Sequence, residues 1–432
     1  MAKKIRLGLF GLGVVGSGLV NIIRRRNGAL ADYAGIELEV VKAVVRDPTK
    51  KRAVDTAGIE ISTDHDSILR DGSLDIIVEL IGGIEPAGTI IKTALESGKP
   101  VVSANKALIA ERGTELYALA EKAQKPFYAE ASVGGGIPIL KTLRESLVAN
   151  EIKYLTAIIN GTTNFILTKM EEDGLSYFEA LKLASDLGFA EADPTLDVEG
   201  IDARHKLLIL ASHICGGAYP QGEITCEGIT TLTSRDFAFA QKQGLTIKLL
   251  AIARRKTEEE IELRVHPTLI PKIHPLASVR NEFNAIYLHG DAVGEITLSG
   301  RGAGSLPTAS AVYADIVDIC TRKINLGETP KSNLKHLKVS PREKIESEYY
   351  IRVTVLDKPG VIGEIASTLG KYNISVSSVA AELIPNVEGI GEVDVVTHKA
   401  SEKDILKALD EINKLEKTRG DARFIRIERE RG

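Results

Sequence analysis

IRLGLFGLGVVG, residues 5–16, is a short apolar run followed at once by glycines at positions 11, 13 and 16. Ile5 to Phe10 has the length and apolar character of a buried strand, and the glycine-punctuated stretch through about Arg25 reads as a helix. Strand, tight turn and helix in that order make half of a βαβ unit. The GxGxxG spacing gives each glycine a task. Gly11 permits the turn, Gly13 lets backbone approach a pyrophosphate, and Gly16 lets helix and strand pack closely. Phe10, Val14 and Val15 belong to the same turn, and the helix N-terminus offers free N–H groups and partial positive charge to phosphate. A glycine-rich turn without a ligand shares the bare pattern; the strand before it and the helix after it are the context a dinucleotide site requires.

Further strands fit Leu38 to Val45, Ile76 to Leu80 and Pro100 to Ser103, separated by helical stretches such as Ala87 to Ser97. Strands alternating with helices predict a parallel sheet covered on both faces, an α/β dinucleotide-binding domain over residues 1–132. Glycines 134, 135 and 136 then precede a long amphipathic stretch from Ile137 to Leu147, and a hinge is expected there. The segment 133–303 reads as an α+β domain, with helices Tyr177 to Leu187 and Asp202 to Cys215 and strand-like alternation in Ile261 to Val265 and Ala285 to Leu288. Gly300 to Ile319 is a glycine turn opening a helix, which predicts that residues 304–325 return to the first domain. Residues 326–347 are polar and proline-containing and read as a linker. Over 348–432 the pattern is strand, helix, strand, strand, helix, strand, a ferredoxin-like plait.

The chain has 432 residues, enough for about two to four domains. Its 44% hydrophobic and 26% charged content suits a soluble globular protein. A formal charge of −4 gives no electrostatic case for nucleic acid. Cys215, Cys226 and Cys320 have neither disulfide-framework nor zinc-site spacing. The opening apolar run is short and broken by glycine, so neither a signal peptide nor a membrane span is expected, and the location that follows is cytoplasmic.

The end of the second strand is where a dinucleotide fold reads the adenosine ribose. Arg46 stands there, with Lys50, Lys51 and Arg52 behind it. A guanidinium pairs with the 2′-phosphate of NADP, so NADP is favoured. A solvated basic turn has the same composition, and the adjacent Asp47 would serve NAD, which stays the alternative.

Carbonyl reduction by a nicotinamide needs a positioned proton donor. Lys106 follows the strand Pro100 to Ser103 at the carboxyl edge of the sheet, and Lys206 lies one helical turn after Asp202, on the same face. An ordinary surface ion pair has that spacing too. Glu191, Asp193 and Asp197 cluster just upstream, as a substrate bearing an α-ammonium requires and as a hydrated acidic loop also allows. His205 and His213 have no metal-pair spacing and read as packing or surface residues.

GLGVVG, SANK, EASVGGGIPI, NGTTNFIL, GFAEADPTLDVEGIDARHK and GRGAG, in this order over roughly residues 5–320, resemble homoserine dehydrogenase. The resemblance implies reversible reduction of L-aspartate 4-semialdehyde to L-homoserine, on the branch to threonine and methionine. It implies Lys206 as proton donor and Lys106 as the lysine contacting nicotinamide and substrate. Glu191 and Asp202 match substrate-binding carboxylates, with Asp197 beside them, and Asn160, Gly161 and Thr162 match a loop lining the pocket. Ser103, Gly188 and Gly304 match positions near the cofactor. A sodium ion in the hinge is implied at Glu130, Val133, Gly135 and Ile137, mostly through backbone carbonyls. With Lys106 close by, the charge of Lys206 is expected to be disfavoured by repulsion. No kinase-like region precedes the dinucleotide domain, as in the monofunctional form.

Tyr349 to Glu428 resembles an ACT domain, LDKPGVIGEIASTL being the strongest local match. That implies an amino-acid effector site at Asp357, Pro359 and Gly360, feedback by threonine, and a homodimer or homotetramer formed by edge-to-edge pairing. A purely structural dimerising module would look the same. Two rival readings fit the early motifs. A dehydrogenase of a dicarboxylic amino acid would need arginine clamps where this chain is acidic, and a non-enzymatic nucleotide and amino-acid sensor would use the same two modules.

Overall fold

The computed structural model describes residues 2–321, 336–384 and 387–429. The first domain contributes β1 (Lys3–Phe10), α1 (Val14–Ala34), β2 (Ile36–Val44), β3 (Glu60–Ser62), β4 (Ile76–Glu79), β5 (Val101–Ser103) and β6 (Phe127–Tyr128). The six strands form one parallel sheet in the order β3-β2-β1-β4-β5-β6. Winding runs outward one way from β1 and then the other way from β4. This reversal opens a crevice at the carboxyl ends of β1 and β4, where open α/β sheets take ligands.

α1 continues well past Arg25, because Ile22, Ile23 and Leu30 keep an apolar stripe on the core, and it stops at Gly35 with φ 67°. The helix Ser305–Thr321 lies against α1, sharing a core of Leu19, Val20, Ala309, Val312 and Ile316. The approach is so close that a Cβ on Gly18 would sit 2.6 Å from Ser305 Oγ.

The middle of the chain builds an antiparallel sheet, with neighbours in the order Gly294–Arg301, Phe283–Gly290, Ile152–Ile158, Leu245–Arg255 and Glu260–Pro271. Helices Gly161–Glu172, Tyr177–Asp186 and Ile201–Cys215 share its main apolar cluster. The long amphipathic stretch expected over Ile137 to Leu147 is not one regular helix. Pro138 lacks the N–H to extend a helix toward the glycines. A helical turn at Ile139–Lys141 passes directly into a wider π-helical turn at Thr142–Ser146, closed by the bond from Leu147 N to Thr142 O at 2.9 Å.

The C-terminal strands and helices are Glu346–Leu356, Val361–Lys371, Val376–Leu383, Ile390–Thr397, Glu402–Ile412 and Arg423–Ile427. Their sheet order places Arg423–Ile427 beside Glu346–Leu356, then Ile390–Thr397, then Val376–Leu383, which is the expected ferredoxin-like plait. This sheet is not separate. Arg426 and Ile427 pair in parallel with Thr268 and Leu269, so the catalytic and C-terminal sheets run on as one. Phe239 and Tyr350 stack across the joint, ring centres 3.8 Å apart.

Of the expected linker 326–347, residues 326–335 lie outside the described residues. The remainder is not a free connection: Lys338–Val339 pair with Glu260–Ile261, and Leu337 is buried in the main core. The polar residues of that stretch hid one apolar anchor, which is enough to hold a short strand on an available edge.

Candidate active site

The glycine turn is formed as the fingerprint requires. Gly11 has φ 101°, and its N–H donates to Val44 O at 2.9 Å. A Cβ on Gly16 would lie 2.4 Å from Gly11 O, whereas at Gly13 nothing lies within 4 Å. Helix and strand therefore meet at Gly16 while Gly13 faces open space. No side chain caps the first turn of α1, and Val14 is 70% exposed at its tip. Ser305 Oγ donates to Val14 O at 2.7 Å, so Gly304, with φ 117°, sits beside the fingerprint although it is distant in sequence. These features fit a dinucleotide: free N–H groups, open backbone and an apolar lip.

At the end of β2, Arg46 is exposed and its guanidinium has no partner among the described residues. Asp47 is occupied. Its Oδ1 accepts from Thr49 N at 2.8 Å and Thr49 Oγ1 at 2.6 Å, and these bonds hold its carboxyl below the usual range.

Ser103 ends β5 fully buried, its hydroxyl donating to Glu79 Oε2 at 2.6 Å and accepting from Asn105 N at 3.1 Å. Glu79 Oε1 accepts from Ile81 N at 2.8 Å and Gly82 N at 3.2 Å. Burial pushes this carboxyl up despite those bonds. Asn105 caps the helix Lys106–Ala123 through Leu108 N at 3.2 Å and donates to Gly83 O at 2.6 Å. Lys106 is thus the first residue of a helix whose start is pinned by a buried polar network. Neither Glu79 nor Asn105 was singled out from sequence: one acid in an apolar run carries no pattern.

Lys106 and Lys206 converge on one carboxylate. Asp202, 3% exposed, takes Lys206 Nζ on Oδ2 at 2.7 Å and Lys106 Nζ on Oδ1. Lys206 Nζ also donates to Ile159 O at 2.6 Å. Burial alone would raise the Asp202 carboxyl, but the two ammonium charges outweigh it and hold the group well below the usual carboxylate range. The bare repulsion expected between the lysines is therefore corrected: an anion lies between them. Asn160 Nδ2 donates to Asp202 Oδ2 at 2.9 Å and to Asp197 Oδ1 at 2.7 Å, while its Oδ1 caps the helix starting at Gly161 through Thr163 N at 2.8 Å.

Other predicted residues are placed as follows. Thr162 Oγ1 donates to Phe189 O at 2.8 Å, tying the Asn160 loop to the turn at Gly188, where φ is 77°. Gly161 has no room for a side chain, since a Cβ would lie 2.8 Å from Glu282 O. Asp193 is spent on its own turn, accepting from Thr195 Oγ1 at 2.6 Å. Glu191 is exposed, its carboxylate without a partner among the described residues, and it does not join the Asp202 cluster. His213 is half-buried, edge-on to Tyr117, and loss of hydration pushes it down to about 4.

In the hinge, the Glu130 carboxylate caps the next helix, accepting from Leu140 N at 2.9 Å and Lys141 N at 2.6 Å, and burial raises it to about 7. Gly134 and Gly135 have φ 70° and 56°, and Gly135 packs on Gly302 so closely that a Cβ would lie 2.5 Å from its carbonyl oxygen. No group of three metal-capable side chains occurs among the described residues. Of the residues expected to hold sodium, Val133, Gly135 and Ile137 have only main-chain carbonyl oxygens to offer, and the Glu130 carboxylate is committed to the helix start.

At the far end, Asp357, Pro359 and Gly360 border a cavity of about 570 Å³. Gly360, with φ 88°, opens the helix Val361–Lys371 without a side-chain cap. Lys417 Nζ donates to Pro359 O at 3.2 Å, a cation beside this helix start that sequence reading missed.

Family models match the chain in the order of its fold: the NAD-binding domain of homoserine dehydrogenase over residues 11–130, homoserine dehydrogenase over 138–317, and the ACT domain over 349–417. A homoserine dehydrogenase of Synechocystis sp. is 41% identical over 433 residues, 98% of this chain and 99% of its own. The chain belongs to the homoserine dehydrogenase family. A homoserine dehydrogenase structure from Thiobacillus denitrificans superposes with TM-score 0.93 at 40% identity, covering 99% of each chain. A hyperthermophilic archaeal homoserine dehydrogenase in complex with NADPH superposes with TM-score 0.61 at 27% identity, covering 73% of this chain and 98% of its own. This homoserine dehydrogenase is thus an oxidoreductase with a nicotinamide-dinucleotide domain, a catalytic domain and an ACT domain. Among the described residues, no helix is long and apolar enough to cross a membrane.

Proposed function

We propose that this homoserine dehydrogenase reversibly reduces L-aspartate 4-semialdehyde to L-homoserine in the cytosol, on the threonine and methionine branch, with NADPH as preferred reductant. The observation that carries the reading is the pair of lysines, from two domains, meeting on the buried Asp202 near the carboxyl edge of the parallel sheet. Bound NADPH supplies hydride to the aldehyde carbon. Lys206, aimed by Asp202 and Ile159 O, protonates the developing alkoxide. Lys106 orients substrate beside the nicotinamide site, and Glu191, Asp202 and Asp197 are the substrate-binding carboxylates, with Gly161 and Thr162 lining the space. Gly188, Ser103 and Gly304 border the cofactor.

Preference for NADP rests on the free guanidinium of Arg46, Asp47 being committed to Thr49. The hinge 130–137 takes sodium on carbonyl oxygens, as a structural ion. The ACT cavity takes an α-amino acid, threonine first. Its carboxylate sits at the uncapped helix start beside Lys417, whose ammonium also pairs with Glu364. A homodimer or homotetramer is the expected assembly. Oxidation of NADPH on addition of aspartate semialdehyde is the deciding measurement; absence of turnover with this substrate, in protein that binds NADPH, overturns the substrate assignment.

A further inference from the structure

Among the contacts that join the C-terminal domain to the catalytic domain is a buried arginine held from both sides. Arg426, its side chain 1% exposed, lies between two carboxylates. Glu402 of its own domain accepts from Nε at 2.7 Å and Nη2 at 2.5 Å. Glu227 of the catalytic domain accepts from Nη1 at 2.8 Å and Nη2 at 2.9 Å, and Arg342 adds a bond to it at 2.7 Å. A guanidinium held at both prongs is a stiff link between the groups it joins.

Glu227 belongs to a loop that lies flat on the entrance to the Lys206 helix. Its own N–H donates to Val265 O at 2.8 Å, Ile229 N donates to Val198 O at 2.8 Å, and Cys226 Sγ donates to Glu199 O at 3.4 Å. A Cβ on Gly228 would lie 2.3 Å from Val198 O, so no side chain separates the two segments. Gly200 then starts the helix with φ 77°. Asp197 stands just before this turn and Asp202 just after it, and Asn160 holds both. A shift of the 226–229 loop therefore has no slack in which to dissipate before it reaches the two acids.

We propose that Arg426 is a positioning residue for the reaction: through Glu227 it fixes the turn 197–202, and with it the carboxylates that receive substrate. The proposal rests on the reading of those acids as the substrate side of the site. Lys206 keeps its own bonds, to Asp202 on the same helix and to Ile159 O at the end of the strand Ile152–Ile158, so the loss should fall on substrate binding before it falls on proton transfer.

The test uses full-length protein with homoserine and NADP. Glu227→Gln and Arg426→Lys are expected to raise KM for homoserine roughly three- to thirty-fold, while kcat at saturation and the dissociation constant for NADPH hold. Glu227 is 31% exposed on its side chain, so its amide variant stays hydrated and carries the test if Arg426→Lys does not fold. Lys344→Gln is the control. It breaks another bridge between the same two regions, to Glu260 at 3.0 Å, without touching the loop. An unchanged KM in Glu227→Gln, or an equal rise in Lys344→Gln, overturns the proposal. Wild-type protein inactive on homoserine would overturn instead the underlying reading of the site.

Discussion

Lys206 Nζ lies 2.7 Å from Oδ2 of Asp202, one turn away on the same helix, in a site where the aspartate is 3% exposed. A lysine held this way is aimed, and its ammonium stays beside a partner that can stabilise it. Lys206→Ala removes the proposed proton donor without touching the glycine turn. The expected loss in kcat is about 10²- to 10⁴-fold, the usual worth of a positioned acid, with NADPH binding by fluorescence titration nearly intact. Retained turnover would take Lys206 out of the chemistry.

Asp202→Asn makes a separate point. The amide cannot neutralise two ammonium groups, so Lys106 and Lys206 would face each other across a neutral side chain, and both proton delivery and substrate binding should suffer. Because the wild-type carboxyl is held well below the usual range by those two charges, it stays ionised to low pH in the fold. A depressed carboxyl contributes stability that is present above the unfolded value and is lost as pH falls through the folded one. Wild type should therefore lose stability toward acid more steeply than Asp202→Asn, as followed by urea melts between neutral pH and pH about 3. Parallel curves for the two proteins would remove this linkage.

Arg46→Ala should weaken NADPH and leave NADH unchanged. A charge-assisted bond to phosphate is worth about 1.5–3 kcal/mol, so the ratio of kcat/KM for the two cofactors should shift roughly ten- to hundred-fold toward NADH. Asp47→Asn should do little to either, its carboxylate being spent on Thr49.

The parts legible in sequence were those with a local or periodic signature. The fingerprint announced itself because Gly11 and Gly16 must be glycine for contact reasons that hold in any chain, and Asp202 with Lys206 followed from helical spacing. The parts that stayed hidden depend on partners far away in sequence. Glu79 is one acid closing an apolar strand, and its meaning appears only when Ser103 arrives from the neighbouring strand. Arg426 alternates with its neighbours like any strand residue, and nothing local says that Glu227 awaits it. The π-helical turn after Lys141 was likewise invisible, since one inserted residue per turn leaves the amphipathic pattern readable as an ordinary helix.

Lys248 gives a stability test away from the site. It is fully buried, donates to Val279 O at 2.6 Å, and burial pushes it down to about 8. Between that value and the ordinary lysine value of 10.5 the unfolded chain binds more protons than the folded one, so this group's contribution to stability improves as pH rises through the window. Below pH about 8 both states carry the proton and the fold bears the full penalty of a buried cation. Lys248→Met should abolish this rise, and chemical unfolding at pH about 7.5 and 9.5 compares the slopes. Equal slopes in wild type and variant would count against a titrating Lys248.

Removing the ACT domain looks from sequence like a clean way to ask whether it regulates, with a cut just beyond Lys344. The joined sheets argue otherwise. Tyr350, Val396, Ile425 and Ile427 belong to the same apolar cluster as the catalytic helices, so the cut uncovers core and not a domain surface. It also frees the edge of Glu260–Pro271 where Arg426 and Ile427 had paired, and an unpaired strand edge is a template for association. Arg264, fully buried against Glu428, would lose that partner as well, leaving Glu262 as its remaining carboxylate contact. The expected product of truncation is protein that elutes as large assemblies on size exclusion, or that melts well below the intact chain. A soluble truncated enzyme with the intact chain's melting midpoint would show that the shared core contributes little. An intact chain with a substitution in the proposed effector cavity is therefore the sounder test of regulation: Gly360→Ala forces a side chain onto φ 88° at the helix start, and it should blunt any response to threonine while basal turnover persists.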